Sequence, residues 1–160
     1  MSAFGGEPNG RSRPVADIVA AMPNDRMEAT PSSRITDQRI RNRIMEELLG
    51  LAEGNDNVRQ IGAGEYFEAF YDWVPHRGDG ITPNSALTSY EAALILKVST
   101  ALDEACDATP KMVSTNALIA TGWPDRIRPL AQSALDEMLK RGRFSEEFEE
   151  DEPSTNVPWP

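Results

Sequence analysis

The sequence predicts an all-α fold: a small four-helix bundle-like domain with a disordered N-terminal arm and an acidic C-terminal tail. Apolar residues recur with helical spacing in four segments, and no useful length of chain shows the two-residue alternation of a strand. Glycine, proline, serine and asparagine concentrate in residues 1–33, and acidic residues in 145–160. Such compositions bury too little apolar surface to become ordered. We therefore expect an arm at 1–33, a helical domain at 34–144 and a disordered tail at 145–160.

The first predicted helix begins at Thr36, whose side chain suits an N-cap, and runs to about Ala52. One face of this helix carries the apolar residues that recur every three or four positions: Ile40, Ile44, Leu48 and Leu51. The "EGNDN" that follows has the composition of a turn, so we expect the helix to end there.

The second predicted helix lies in "EYFEAFYDWVP", residues 65–75, which holds five of the chain's aromatic residues. Its aromatic side chains occupy one broad face of a helical wheel. Proline disfavours helical backbone in the residue before it, so the helix spans 65–74. The aromatic face is wider than contact with a single neighbouring helix requires. We therefore expect Phe67 and Phe70 to be buried, and Tyr66 or Trp73 to stay partly exposed and available to a partner.

The third predicted helix has the clearest start signal in the chain, within "LTSYEAA". Thr88 and Glu91 have capping-box spacing, so each side chain can accept a hydrogen bond from the other residue's backbone N–H. The apolar residues that follow share one face as far as about residue 106. Leu96 points elsewhere, which indicates a second contact surface.

The fourth predicted helix follows two prolines that both favour first-turn positions, Pro124 and Pro129. We predict one turn at 124–128 and then a helix at 129–141. Gly142 suits the left-handed cap that commonly follows a helix.

The charge of the chain limits its partners. The net charge is −10, and DNA and RNA bind through clustered lysine and arginine, so we expect no nucleic-acid partner.

No window of the sequence approaches 18 apolar residues, which predicts no membrane span and no membrane partner. The N-terminus lacks the apolar region of a signal peptide, and the single cysteine excludes an internal disulfide. We expect a cytoplasmic protein.

A metal or acid–base site is the first candidate chemistry, because Glu65, Glu68 and Asp72 share a helix face and His76 follows. Carboxylate-bridged metal sites in bundles need such side chains to point inward. Here the acids lie opposite the aromatic face, and Pro75 interrupts the helix before His76. We expect a solvated face, no metal ligand and no cofactor.

Nucleophilic catalysis would have to use Cys106 or a hydroxyl. A reactive cysteine needs a nearby base and an electropositive setting, but the neighbours of Cys106 are acidic and raise a thiol pKa. The chain has one histidine, and it lacks a Gly-x-Ser-x-Gly elbow and a phosphate-binding glycine loop. We expect a buried structural cysteine and no catalytic residue.

A cluster of arginines marks the start of the first helix: Arg34, Arg39, Arg41 and Arg43. One interpretation is a set of surface arginines that pair with Glu46 and Glu47 at helical spacing. The other is an anion-binding patch. In that case the acidic residues 146–152 could fold back onto the patch, and an acidic ligand could displace them.

Four segments carry a resemblance: "IRNRIMEELL", "DWVP", "LTSYEAA" and "ALDEMLKRGRFSEE". Together they resemble small bacterial all-α proteins of uncharacterised function, over about residues 38–148. The shared features are helix starts, helix ends and an aromatic anchor. The resemblance therefore implies a fold and brings no catalytic residues and no function.

The preferred functional interpretation is a non-enzymatic domain that binds another protein. An acidic inhibitor of the immunity-protein or antitoxin type fits, because a negative surface complements a basic partner and speeds association. One alternative is an enzyme or small-ligand binder with a pocket between the helix at 65–74 and the loop at 75–88. Another is a structural bundle that forms a homodimer through leftover apolar surface such as Leu96 and Trp123. The candidate partner-binding residues are Tyr66, Trp73, Trp123, Arg39 and Arg43.

Overall fold

The computed structural model of the chain describes residues 29–75, 80–154 and 159. Within those ranges the regular secondary structure is entirely helical, so the predicted all-α class is confirmed. Residues 1–28 of the predicted arm and His76 lie outside the described residues. The helices are α1 (Ser33–Ala52), α2 (Asn55–Ile61), α3 (Ala63–Tyr71), α4 (Ser89–Ala108), α5 (Thr115–Ala120) and α6 (Trp123–Arg141).

Local capping signals set where α1 and α4 begin. The Thr88–Glu91 capping box is present, with hydrogen bonds of 3.1 Å from Glu91 N to Thr88 Oγ1 and 2.9 Å from Thr88 N to Glu91 Oε2. The start of α1 differs from the prediction. Its N-cap is Ser32, which accepts a hydrogen bond from Ile35 N, while Thr36 lies inside the first turn. Either hydroxyl suits an N-cap, and the sequence alone does not separate two candidates four residues apart.

The structure contains two short helices, α2 and α5, in addition to the four that the sequence predicts. α2 follows Gly54, whose φ of 61° lets the chain turn sharply after α1, and it buries Val58. The N-cap of α5 is Ser114, whose hydroxyl accepts a hydrogen bond from Ala117 N at 3.2 Å. Helices of six or seven residues have little intrinsic stability and no full amphipathic repeat, so periodicity does not reveal them.

The last helix, α6, is continuous where the prediction has a turn and a separate helix. Pro129 lies inside it, on the exposed side. Proline removes one backbone hydrogen bond and normally interrupts a helix. Packing outweighs that cost here, because α6 contacts both α1 and α4 and has buried residues on either side of Pro129. That face comprises Pro124, Ile127, Ala131, Ala134, Leu135 and Met138.

A buried ion cluster joins α1, α4 and α6. Glu91 Oε1 lies 2.8 Å from Arg41 Nη2, and Glu91 Oε2 lies 2.8 Å from Arg141 Nη1. The Arg41 side chain is 0% exposed and donates to the main-chain oxygens of Met138 and Gly142 at 3.0 and 2.8 Å. The prediction that groups Arg41 with surface arginines is therefore wrong. A carboxylate from α4 and carbonyls at the end of α6 together compensate the burial of its charge.

The acidic C-terminal residues pack along α1. The prediction of a disordered tail is wrong for residues 145–154, which have no helix or strand but are held by hydrogen bonds. Gly142 ends α6 with φ 88° and ψ −167°, a conformation essentially restricted to glycine, and Phe144 is fully buried beyond it. The amino-acid composition of this segment does not predict its order, because α1 binds mainly the main-chain oxygens of the segment and composition describes only its side chains.

We expect Glu91→Gln to lower the free energy of unfolding by about 3–5 kcal/mol, because it leaves Arg41 buried without a counter-charge. Burial alone would raise the pKa of Glu91, but hydrogen bonds from Arg41 and the Thr88 N–H lower it below the ordinary value of 4.5. Its contribution to stability is therefore complete above pH 4.5 and is lost as the pH falls through the lowered pKa. Urea unfolding at pH 7 and pH 3 measures both effects.

The matched control is Glu68→Gln, which neutralises an exposed carboxylate on α3. We expect it to change stability by no more than about 0.5 kcal/mol. Equal effects of the two substitutions at pH 7 would contradict a stabilising ion cluster.

Candidate partner-binding surfaces

A groove lies between α1, the end of α3 and the segment at residues 80–87. Its volume is about 340 Å³, and the predicted pocket between the aromatic helix and the following loop falls here. Two residues of that segment attach it to α1: Asn84 donates to Asp37 O at 3.0 Å, and the Ser85 N–H and hydroxyl donate to Asp37 Oδ2 at 2.8 and 2.7 Å. The lining is largely apolar and includes Ile40, Ile44, Trp73, Pro75, Ile81, Pro83 and Leu87.

Trp73 borders this groove and is 38% exposed, as predicted. It follows the last residue of α3 in a turn, and Val74 next to it is buried. The buried valine fixes the backbone while the indole remains partly exposed. A large aromatic ring held in this way loses little conformational freedom on binding.

Tyr66 is buried, at 1% exposure, so the prediction that it is a partly exposed partner-binding residue is wrong. Tyr66 and Phe70 lie one helical turn apart on the inner face of α3, and Phe67 is only partly buried beside them. Burial, followed by the nearby Asp125 carboxylate, raises the pKa of Tyr66. Its hydroxyl has no hydrogen-bond partner among the described residues. The aromatic arc predicts which residues share a face, whereas the neighbouring helices decide where that face points.

Trp123 opens α6 and packs against the core while remaining partly exposed. The Arg126 guanidinium lies 3.6 Å from the centroid of its ring, a cation–π contact within the chain. Leu96, which is predicted together with Trp123 as apolar surface for a homodimer, lies elsewhere, in a shallow groove between α4 and α6. Leu96 and Leu130 line that groove, each 36% exposed, and Trp123 does not.

Carboxylates from α1, from α3 and from the residue that follows α3 form an acidic patch beside the groove. We define the patch as Glu46, Glu47, Glu65 and Asp72. Burial raises the pKa of Glu47, and Glu46, Asp72 and Glu65 raise it further in that order. Asp72 also lines the groove, so the acidic patch and the apolar surface share a residue. The sequence places Glu46 and Glu47 on one helix and Glu65 and Asp72 on another, and only the packing of α3 against α1 brings them together.

The predicted partner-binding arginines, Arg39 and Arg43, contact the C-terminal residues of the same chain. Arg39 donates through Nε and Nη2 to Glu146 O at 2.9 and 2.8 Å. Arg43 Nη1 pairs with Glu46 at 2.6 Å, and its Nη2 lies 3.7 Å from Glu146 Oε2. Arg43 therefore pairs with Glu46 at helical spacing, as the first interpretation has it, and Glu146 lies against Arg39 and Arg43. Anion binding by the arginine cluster stays a prediction.

Among the described residues, Tyr71, Asp103 and Cys106 lie together between α3 and α4. Cys106 is half-buried and, with Tyr71, lines a groove of about 870 Å³ between α3 and the end of α4. The Tyr71 hydroxyl donates to Asp103 at 2.6 Å, and burial, followed by that hydrogen bond, raises the pKa of Tyr71. Glu65 and Glu68 point to solvent. The described residues contain no cluster of three or more side chains suited to holding a metal ion.

No protein-family model, curated protein or solved structure matches the chain. Among the described residues, no helix is long and apolar enough to cross a bilayer. The resemblance to small bacterial proteins gains no support from these comparisons. The case for a function therefore rests on the surfaces of the chain itself.

We expect Glu47→Gln to raise the melting temperature by about 1–3 °C at pH 7 and to leave it unchanged at pH 3. The folded-state pKa of Glu47 is raised above 4.5, so its charge begins to destabilise the fold as the pH rises through 4.5 and does so fully above the raised pKa. Thermal unfolding at the two pH values tests this. Glu104→Gln, at an exposed carboxylate on α4, is the matched control. The explanation fails if Glu47→Gln gives the same gain at both pH values.

Proposed function

We propose that the chain is a non-enzymatic protein-binding domain and that its partner presents a basic surface. One observation carries the proposal: Trp73 is partly exposed at the rim of an apolar groove whose lining includes Asp72 of the acidic patch. Such a surface offers an aromatic anchor, apolar contact area and negative charge in one place. Aromatic residues at the centre of an interface contribute a large share of binding free energy.

Charge supports a basic partner over a neutral or acidic one. The net charge is −10, and the acidic patch gathers four carboxylates around the α1–α3 contact, three of them besides Glu46, which pairs with Arg43 and Arg143. A negative field attracts a basic protein and accelerates its association. Among basic partners, an enzyme that acts on nucleic acid has the complementary surface, so the inhibitor class of immunity proteins and antitoxins is the specific form of the proposal.

The stability cost of the acidic patch is a second argument. Glu47 is partly buried among like charges, an arrangement that raises its pKa and opposes folding at neutral pH. Proteins retain locally unfavourable groups most often where function requires them. The patch therefore suits a role in recognition better than a role in holding the fold together.

A small organic ligand is the second candidate occupant of the groove. Its volume of about 340 Å³ and its mainly apolar lining fall at the lower end of small-molecule sites. The polar groups at hand, Asp37 and Asn84, already bond to each other's segments. A protein side chain inserted beside Trp73 fits such a groove as well as a free ligand does, and the acidic patch outside it favours the protein.

The test uses immobilised chain, extract from the source organism and mass spectrometry of what is retained at about 50 mM and about 500 mM salt. We expect a basic protein to be retained at low salt by the unsubstituted chain. We expect Trp73→Ala to weaken its retention tenfold or more, a loss of about 1.4 kcal/mol or more in binding free energy. Circular dichroism checks that the variant remains folded.

The matched control is Tyr90→Ala, which removes another exposed aromatic ring, on α4 and outside the groove. Retention of the basic protein should be unchanged by this substitution. If both substitutions have equal effects, or if every retained protein is acidic, the proposed surface is wrong.

A further inference from the structure

The polar face of α1, defined as Arg34, Gln38, Arg39 and Asn42, binds the C-terminal segment, residues 143–154. Three of the four side chains recur every four residues, so they lie on one side of the helix. The segment crosses this face without forming a helix or strand of its own. The arrangement has the geometry of an extended peptide bound to a helix surface.

The two buried amides of this face bond to the main chain of the segment. Gln38 Nε2 donates to Ser145 O at 2.6 Å and to Phe148 O at 2.9 Å. Asn42 donates to Phe144 O at 2.9 Å and accepts from Phe144 N at 3.2 Å. These bonds reach main-chain atoms, so they do not require particular side chains in the bound segment. Some segment must nevertheless cover the polar face of α1, because leaving a buried amide unpaired costs about 1–3 kcal/mol.

The arginines of the same face also bond to main-chain oxygens. Arg34 donates to Glu150 O at 3.0 and 2.6 Å and to Asp151 O at 3.2 Å. Arg39 donates twice to Glu146 O. Hydrogen bonds from a charged donor are roughly twice as strong as neutral ones. The segment's carboxylates at 147, 149, 151 and 152 belong to exposed residues.

An aromatic ring fixes one end of the segment. Phe144 is fully buried, and three guanidinium groups lie over its ring, those of Arg34, Arg41 and Arg141 at 5.0, 5.2 and 5.5 Å from the centroid. Each distance is within the range of a cation–π contact. This site selects an aromatic side chain and sets the register of the residues that follow.

The charges of the two partners are complementary. Residues 143–154 contain six acidic side chains and one arginine, whereas residues 33–43 contain four arginines and one aspartate. Clusters of arginine are a recurrent means of recognising acidic segments. The net charge of the whole chain hides this local basic surface, because the acidic segment covers it.

We propose that the polar face of α1 is a binding site for an acidic, extended segment of another protein, one with an aromatic residue just before its acidic residues. Residues 143–154 occupy the site within the chain and leave when that segment binds. The site is separate from the groove at Trp73 and has the opposite charge. The chain leaves α6 at Gly142 with a positive φ, and this glycine is the hinge about which the segment leaves.

A substitution of Glu150 weakens the binding of the C-terminal segment to the polar face of α1 without altering α1 itself. Its carboxylate accepts hydrogen bonds from Ser145 N at 2.6 Å and Ser154 N at 3.3 Å, so it holds the segment in shape from within. A tethered segment competes at an effective concentration of the order of mM, which conceals the affinity of an added peptide. Glu150→Ala lowers this competition.

The experiment measures fluorescence anisotropy of a labelled peptide with the sequence of residues 143–154, added to the full-length chain. We expect the peptide to bind the Glu150→Ala chain with a Kd at least tenfold lower than it shows for the unsubstituted chain. The matched control is Glu149→Ala, at an exposed carboxylate in the same segment, which should bind as the unsubstituted chain does. A peptide in which Phe144 is replaced by Ala, and a scrambled peptide, should each bind at least tenfold more weakly.

Hydrogen exchange of the unsubstituted chain keeps the proposal testable if Glu150→Ala fails to fold. Excess peptide should speed exchange of the Phe144, Ser145 and Glu150 amides, all of which are bonded in the closed form. If the peptide binds no form of the chain at about mM concentration, and these amides exchange only on global unfolding, the proposal is overturned. The segment is then a permanent part of the fold.

Discussion

The buried contact of Glu91 with Arg41 and Arg141 is the interaction on which the rest of the structure depends. It joins the middle of α1, the first turn of α4 and the last turn of α6, and Glu91 also completes the cap of its own helix. A charge removed from water is tolerated only where its partners are held in place, so the three helices must meet in one arrangement. The arginines of this cluster then form part of the site that encloses Phe144.

The distribution of charge on the surface follows from this arrangement. The chain leaves α6 beside Arg41, and its acidic residues lie along the arginines of α1. Basic side chains that would otherwise face solvent are thereby paired. Among the carboxylates around the α1–α3 contact, Glu46 pairs with Arg43 and Arg143, and the patch continues through Glu47, Glu65 and Asp72. One side of α1 consequently presents a covered basic surface. The other presents an acidic patch next to an apolar groove and Trp73.

Local signals predict much of the fold, and long-range packing decides the rest. The Thr88–Glu91 box lies within four residues, so it marks the start of α4 correctly. Tyr66 and Trp73 share an aromatic face in the sequence, yet only the position of α3 against its neighbours determines that Tyr66 is buried and Trp73 exposed. Arg41 resembles the surface arginines beside it until Glu91, fifty residues away, is placed next to it. The composition of the acidic segment suggests disorder because it contains no information about the donors on α1.

A double-mutant cycle between Arg41 and Glu91 tests the central claim most directly. The free energies of unfolding of the unsubstituted chain, Arg41→Met, Glu91→Gln and the double variant are compared by urea denaturation at pH 7. If the ion cluster organises the fold, the double variant loses about 2 kcal/mol less than the sum of the single losses, because one substitution removes the charge that the other leaves unpaired. Losses that add to within about 0.5 kcal/mol would contradict it.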